Sequence, residues 1–268
     1  MLESVAAAAE YGGGSRRFVL ATGSPGELGL LEALGNAFGA EADATLIWVK
    51  AGTGQSLDLL RAGKVDMAMV HAPAQVDRAV AEGWATNKTL IGANEFFIVG
   101  PESDPANIAQ ATDAVDACMR IVAAGATFVS RGDNSGTHQK EMQLWALAHA
   151  IPVNDRYIVT RDFMTASLRI ADSNGAYYMT DSSTWIMEQG VAPSLRRLFS
   201  GDRLLVNIYH AIAAASGATP GRDTAAEFIA FVASPAGQKI MREFGADRYS
   251  GPLYNDLMYA KQYENSHA

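Results

Sequence analysis

Ala44 to Val49 reads ATLIWV, a continuous apolar run. A strand with one wet face alternates apolar and polar residues, so this run fits a strand buried on both faces. Its neighbours fix the context. Phe18 to Ala21 is a short β-rich run, and Leu28, Leu31, Leu34 and Phe38 follow it at helical spacing, predicting a helix over 26–39. After the apolar run, Leu57 and Leu60 mark a short helix that ends near Gly63, and VDMAMV (65–70) is a third strand. Strand, helix, strand, helix, strand at this spacing is the pattern of a parallel α/β sheet.

The pattern restarts after Phe96 to Val99, a strand closed by GPESDP. Helices are predicted over 106–123, 135–150 and 165–172, and strands over 128–130, 157–160 and 176–180. A small-residue strand over 208–215 follows, and two helices close the chain, the second starting at SPAGQ with Ser234 as N-cap and Pro235 in the first helical position. The last strand and helices have no sheet of their own, so they are expected to return to the first unit. The expected organisation is a flexible leader over 1–17, lobe 1 over 18–99 and 207–268, and lobe 2 over 100–206. Two crossovers then join the lobes, with a ligand cleft between them.

Composition excludes several classes. With 49% apolar and 19% charged residues in 268, the chain can build a real core. Its net charge of −8 counts against a nucleic-acid binder, and any anion site must rely on short-range donors. One cysteine, Cys118, cannot form an internal disulfide and is expected to pack as a small hydrophobe. No run reaches the roughly 20 apolar residues of a membrane span, so no membrane insertion is expected. The start MLESVAAAAEYGGGSRR lacks the basic opening and apolar stretch of a secretory signal, so export would require that a signal has been removed. There is no Walker pattern, no dinucleotide fingerprint, no G-x-S-x-G elbow and no metal-like histidine spacing.

Three strand-end loops share one chemistry: Thr22-Gly23-Ser24, Gly52-Thr53-Gly54 and Arg131 to Thr137. All are rich in hydroxyls and glycines, and none holds paired carboxylates or a histidine poised for acid–base work. In open α/β sheets ligands sit at this end of the strands. Ser135, Gly136 and Thr137 open a helix, so their N–H groups lack intrahelical partners and lie at the positive end of its dipole. Arg131 adds a planar fork suited to oxyanions. Two readings stand open for this loop: an anion cradle, or an N-cap at Ser135 with Arg131 paired to Asp133. Met164 and Thr165 open a further helix and are weaker candidates of the same kind.

Longer stretches then become familiar. VKAGTGQSLDLLRAGKVDMAMVHAPA (49–74), ANEFFIVGPESDPANI (93–108), FVSRGDNSGTHQKEMQLW (128–145), NGAYYMTDSSTW (174–185) and the SPAGQ helix resemble the tungstate-binding proteins of bacterial ABC transporters, over roughly residues 18 to 250. The resemblance implies a two-lobed type II periplasmic binding protein fold, each lobe a mainly parallel sheet flanked by helices. It implies an extracytoplasmic monomer that captures a small anion, tungstate or a similar oxyanion, and delivers it to an ABC permease, with no catalysis and no cofactor. Ligand contacts would come from Thr22, Gly23, Ser24, Thr53, Arg131, Asp133, Ser135, Gly136 and Thr137, with Met164 and Thr165. The family's first loop is a hydroxyl-rich run close to TTTSTxxSGL, whereas ATGSPGELGL (21–30) stands here. Gly23 and Pro25 replace hydroxyl residues, and Pro25 removes a backbone donor. This departure leaves an organic anion open as an alternative ligand. Asp133 is a candidate acceptor for a proton carried by the ligand. A cytosolic ligand-sensing domain is the competing reading from another class.

Overall fold

The computed structural model describes residues 7–249 and 251–264. In chain order the first elements are strand β1 (Ala9–Gly12), β2 (Arg16–Thr22), helices α1 (Ser24–Glu27) and α2 (Leu30–Ala42), β3 (Ala44–Lys50), α3 (Thr53–Arg61), β4 (Met67–Val70), α4 (Pro73–Ala81) and the long β5 (Ala85–Pro101). Next come α5 (Ala114–Ala123), β6 (Phe128–Ser130), α6 (Gly136–Ala148), β7 (Tyr157–Val159), α7 (Met164–Ser173), β8 (Tyr177–Asp181), α8 (Ser182–Met187) and β9 (Leu195–Phe199). The chain closes with β10 (Val206–Ala214), α9 (Arg222–Ala233), α10 (Pro235–Glu243) and α11 (Leu257–Lys261). It divides into two compact units. Unit 1 takes the residues up to Ala93 and those from Ile208 on, and unit 2 is Asn94–Asn207. The chain leaves unit 1 inside β5 and returns inside β10.

In unit 1, β2 pairs in parallel with β3 and with β4, while β1 and β10 pair antiparallel with β3 and β4. The parallel character is thus confined to a three-strand centre. Ala21, Val49, Ala68 and Val70 face α3 and α4 through Leu57, Leu60 and Val76. Phe18 faces the other way, onto Phe38 of α2 and Phe228 of α9, with centroids 6.0 and 5.2 Å away. Buried Asp66 ties the layers together, accepting from the backbone N–H groups of Val19 and Gly221. Part of the 1–17 leader differs from expectation. Ala9–Gly12 is the edge strand β1, held by backbone pairing to β3 rather than loose. The first six residues lie outside the described residues.

Unit 2 follows the same plan. β6 pairs in parallel with β7 and β8, and β5 pairs antiparallel with β8 and β9. Side chains alternate across this sheet. Phe128 and Tyr177 pack under α5 and α6 with Ile121, Leu144 and Trp145, while Val129 and Tyr178 pack under α7 with Leu168 and Met164. Burying each such side chain contributes about 1.5–3 kcal/mol. Ser130 ends β6, and Arg131 leaves the sheet where it is covered on both faces.

Two predicted helices are interrupted. The one over 26–39 breaks into α1 and α2 at Gly29, whose φ of +89° places it in the left-handed region. The one over 106–123 starts only at Ala114, because Asp113 caps α5 by accepting from the Asp116 N–H at 2.7 Å. Among the described residues no helix is long and apolar enough to cross a membrane.

Candidate functional site

Gly132 and Asn134 shape the β6–α6 loop. Gly132 has φ of +59°, and a Cβ there would lie 2.2 Å from Val159 Cγ1 of β7, so only glycine fits. The chain turns back tightly and leaves Arg131, 5% exposed, lying along the neighbouring β7–α7 loop. Arg131 Nε donates to the Asp162 carbonyl at 3.1 Å and to Asp133 Oδ2 at 3.1 Å. Nη2 donates to the same carboxylate oxygen. The guanidinium lies over the Phe163 ring, 5.5 Å from its centroid. Among the described residues Nη1 donates to nothing.

Asp133 joins the fork to the helix. While Oδ2 holds Arg131, Oδ1 accepts from the Ser135 N–H at 3.0 Å. Partial burial pushes this carboxyl up, but the charge of Arg131 and the bonds from Ser135 outweigh it and hold it below its ordinary value. Asp133 is therefore ionised and engaged. Its two oxygens hold the fork and the start of α6. Ser135 is the N-cap of α6, its hydroxyl accepting from the His138 N–H at 3.3 Å. The loop thus has both the Ser135 cap and the Arg131–Asp133 pair. It still leaves donors over. Gly136 and Thr137 are buried, and among the described residues nothing accepts from their N–H groups or from the Thr137 hydroxyl. His138 Nδ1 accepts from the Asn134 N–H at 3.0 Å, which fixes a neutral ring, and burial lowers its pKa.

Met164 and Thr165 open α7, as expected, but their side chains part company. Met164 is a core residue, packed with Val129 and Leu168, and its sulfur meets the Tyr178 hydroxyl at 2.9 Å. Only its backbone N–H remains for a ligand. Thr165 is half-buried, and its N–H precedes the first intrahelical bond, which runs from the Ser167 N–H to the Phe163 carbonyl. Asp162 and Phe163, which hold Arg131 in place, were not foreseen. Their signal was weak: an acidic–aromatic pair just before a predicted helix.

The unit 1 loops also sit at the carboxyl ends of parallel strands. Thr22 is buried, and its hydroxyl donates to the Met69 carbonyl at 2.8 Å, so it fastens β2 to β4 and is not a free donor. Its own carbonyl accepts from Trp48 Nε1 at 2.9 Å and from the Ala51 N–H at 3.1 Å. Trp48 also crowds this loop at Gly26. A Cβ at Gly26 would lie 2.1 Å from its indole, so the ring fills the space that a side chain would need. Gly23 precedes α1, and Ser24 begins it. Thr53 opens α3 and is buried. Among the described residues the Ser24 and Thr53 hydroxyls have no hydrogen-bond partner.

Comparisons with known proteins follow this geometry. A family model described as PBP superfamily domain matches residues 5–236. The chain belongs to the PBP superfamily. Within it, the tungstate-binding protein TupA of Peptoclostridium acidaminophilum is 30% identical over 237 residues, covering 87% of this chain and 82% of the relative. A solved structure described as the tungstate ABC transporter from Geobacter sulfurreducens is 35% identical with a TM-score of 0.78, covering 86% of this chain and 100% of that one. The tungstate-binding protein TupA from Desulfovibrio alaskensis G20 is 33% identical with a TM-score of 0.76, covering 90% of this chain and 99% of that one. Two of these relatives of the PBP member described here carry the description tungstate-binding protein. Among its described residues no group of three or more histidine, cysteine or acidic side chains could hold a metal ion.

Proposed function

We propose that this PBP-superfamily chain is the solute-binding protein of an ABC importer, working outside the cytoplasm, and that its cargo is a tungstate-like oxyanion. It has no chemistry to perform and needs no resident cofactor. The observation that carries the reading is the Arg131–Asp133–Ser135 tie. One carboxylate holds both a buried guanidinium and the start of α6, which leaves Arg131 Nη1 and the Gly136 and Thr137 amides as preorganised donors. The ion pair is neutral overall, so an incoming anion meets donors without a net repelling charge. Thr165, the Met164 N–H, Gly23, Ser24 and Thr53 are the further donors we assign to the ligand. The relatives named above that are described as tungstate-binding proteins support the choice of cargo.

A thermal-shift panel of tungstate, molybdate, sulfate, phosphate and small organic anions tests this. At a hundredfold excess over Kd a ligand stabilises by about 2.7 kcal/mol. For a chain of this size that is a rise of roughly 5–10 °C in Tm. Such a rise is expected with tungstate or molybdate and not with Arg131→Ala protein. A rise confined to organic anions would overturn the oxyanion assignment.

A further inference from the structure

Glu141 lies on α6, five residues beyond Gly136, and is 4% exposed. Its Oε2 accepts from the Ser130 hydroxyl at 2.8 Å, and Oε1 accepts from Trp145 Nε1 at 3.0 Å and from the Tyr157 hydroxyl. Ser130 immediately precedes Arg131, and its carbonyl accepts from the Thr160 N–H. One buried carboxyl therefore clamps the end of β6, the start of β7 and the body of α6, the three elements that set the anion loop. This is an ionisable group where packing alone would favour an apolar one.

Burial pushes the Glu141 carboxyl up to about 7, against the pull of its bonds from Tyr157, Ser130 and Trp145, and with a further push from Asp133. Apart from Lys140, the groups around it hold their charge near neutrality. Tyr157 from β7 and Tyr178 from β8 are pushed up and stay neutral, and Cys118 from α5 is pushed up to about 12. Asp133, in the loop above, is held low by Arg131. On α6 itself, burial shifts His138 downward and lowers Lys140 to about 8 against the opposing pull of Asp202.

We propose that Glu141 is a positioning residue of the anion site and that capture of the oxyanion is coupled to uptake of one proton by its carboxylate. This rests on the functional reading above. An anion held by the first turn of α6 places a second negative charge near Glu141 in a medium of low dielectric, which disfavours the ionised carboxylate. The proton comes from the buffer, and the carboxylate becomes a carboxylic acid whose new O–H donates to the Ser130 hydroxyl oxygen, which turns from donor to acceptor, while the bonds from Trp145 and Tyr157 stay in place. By linkage, affinity for tungstate, which keeps its charge over this range, falls as pH rises from about 6 to about 8. A one-unit rise in the pKa of Glu141 on binding corresponds to at most roughly a tenfold fall.

Two measurements on the whole chain test it. The Trp145 indole N–H donates to Glu141, so its resonance in 15N-tryptophan-labelled protein, assigned by its loss in Trp145→Phe, reports the carboxyl. Its shift is expected to titrate near pH 7 without ligand, to move to higher pH with saturating tungstate, and to stay flat in Glu141→Gln. Titration calorimetry of tungstate at pH 7 in Bis-Tris and Tris buffers is expected to show a buffer-dependent heat that Glu141→Gln abolishes. No titration of the indole signal in the wild-type chain overturns the proposal by itself. Tungstate that binds without moving the midpoint and with buffer-independent heat overturns the coupling and leaves the functional reading standing. Absence of any tungstate heat overturns both.

Discussion

Each unit presents hydroxyl- and glycine-rich turns at the carboxyl ends of parallel strands, but the two sets treat their polar groups differently. In unit 1 the Thr22 hydroxyl is turned inward to the Met69 carbonyl, Trp48 occupies the Thr22 carbonyl, and Ser56 donates to the Ala51 carbonyl. In unit 2 the inward bonds run from a charged pair, and the helix start keeps amides over. Similar turns thus serve different tasks. The first set mainly holds strands and helices together and contributes a few neutral donors. The second concentrates the cationic fork and the ionisable carboxyls. The difference matters because an oxyanion gains about twice as much from a charged donor as from a neutral one.

Removing the fork should give the largest effect. Arg131→Ala deletes Nη1 and leaves the Asp133 carboxylate unpaired beside the anion. Loss of one member of a buried charge pair costs about 2–5 kcal/mol, so tungstate affinity should fall by at least about 30-fold in calorimetry. A fall under about threefold would mean that unit 2 does not carry the charge recognition.

The second effect separates the units by pH. Glu141 is protonated in the native chain up to about 7, whereas an unfolded glutamate ionises near 4.5. Below 4.5 both states hold the proton. Between those values the unfolded chain releases it first, so the raised carboxyl makes stability fall with rising pH, by up to roughly 3 kcal/mol, with no further loss above 7. Urea unfolding of wild type and Glu141→Gln across pH 4 to 8 should show this slope in the first and not in the second. An equal slope in both would place the titrating group elsewhere.

Much of this contrast was legible in the chain, for physical reasons that particular residues show. β6 and α6 stand out because FVS is apolar on both faces and Ser135-Gly136 is a strong helix start. β1 and β9 did not stand out. Ala9–Gly12 has almost no pattern of its own and is defined by register against β3, and Leu195–Phe199 carries two arginines on an edge. The helices α4, α8 and α11 were also missed, being short and with caps that depend on context. At the site, a helix start reveals where amides are but not where side chains go. For that reason Gly136 and Thr137 could be read from sequence, while Met164 proved to be core and Asp133 a holder of the fork. Glu141 precedes Leu144 and Trp145 by three and four residues, so helical spacing places it on their buried face, but a glutamate there reads as the polar end of that stripe.

Thr22→Val tests the structural side of the comparison. Valine keeps the shape but leaves the buried Met69 carbonyl without this donor, a loss of about 1–2 kcal/mol. Tm without ligand should fall by roughly 2–8 °C, with tungstate affinity changing less than about twofold. A large loss of affinity with unchanged Tm would place the Thr22 hydroxyl on the ligand and erase the distinction between the two sets of turns.

The smallest effect is the sharpest test of what unit 1 contributes. Ser24 is half-buried, starts the four-residue α1, and among the described residues its hydroxyl bonds to nothing. A helix this short is a poor source of dipole. Pro25, directly after it, has no N–H to offer. The hydroxyl is therefore the main side-chain donor that this loop retains once Thr22 is engaged. Ser24→Ala should leave the ligand-free Tm within about 2 °C, since nothing in the fold depends on it. It should weaken tungstate binding by about threefold to tenfold, the worth of one hydrogen bond of roughly 1 kcal/mol. Unchanged tungstate affinity in Ser24→Ala would mean that this loop of unit 1 supplies no side-chain donor to the ligand.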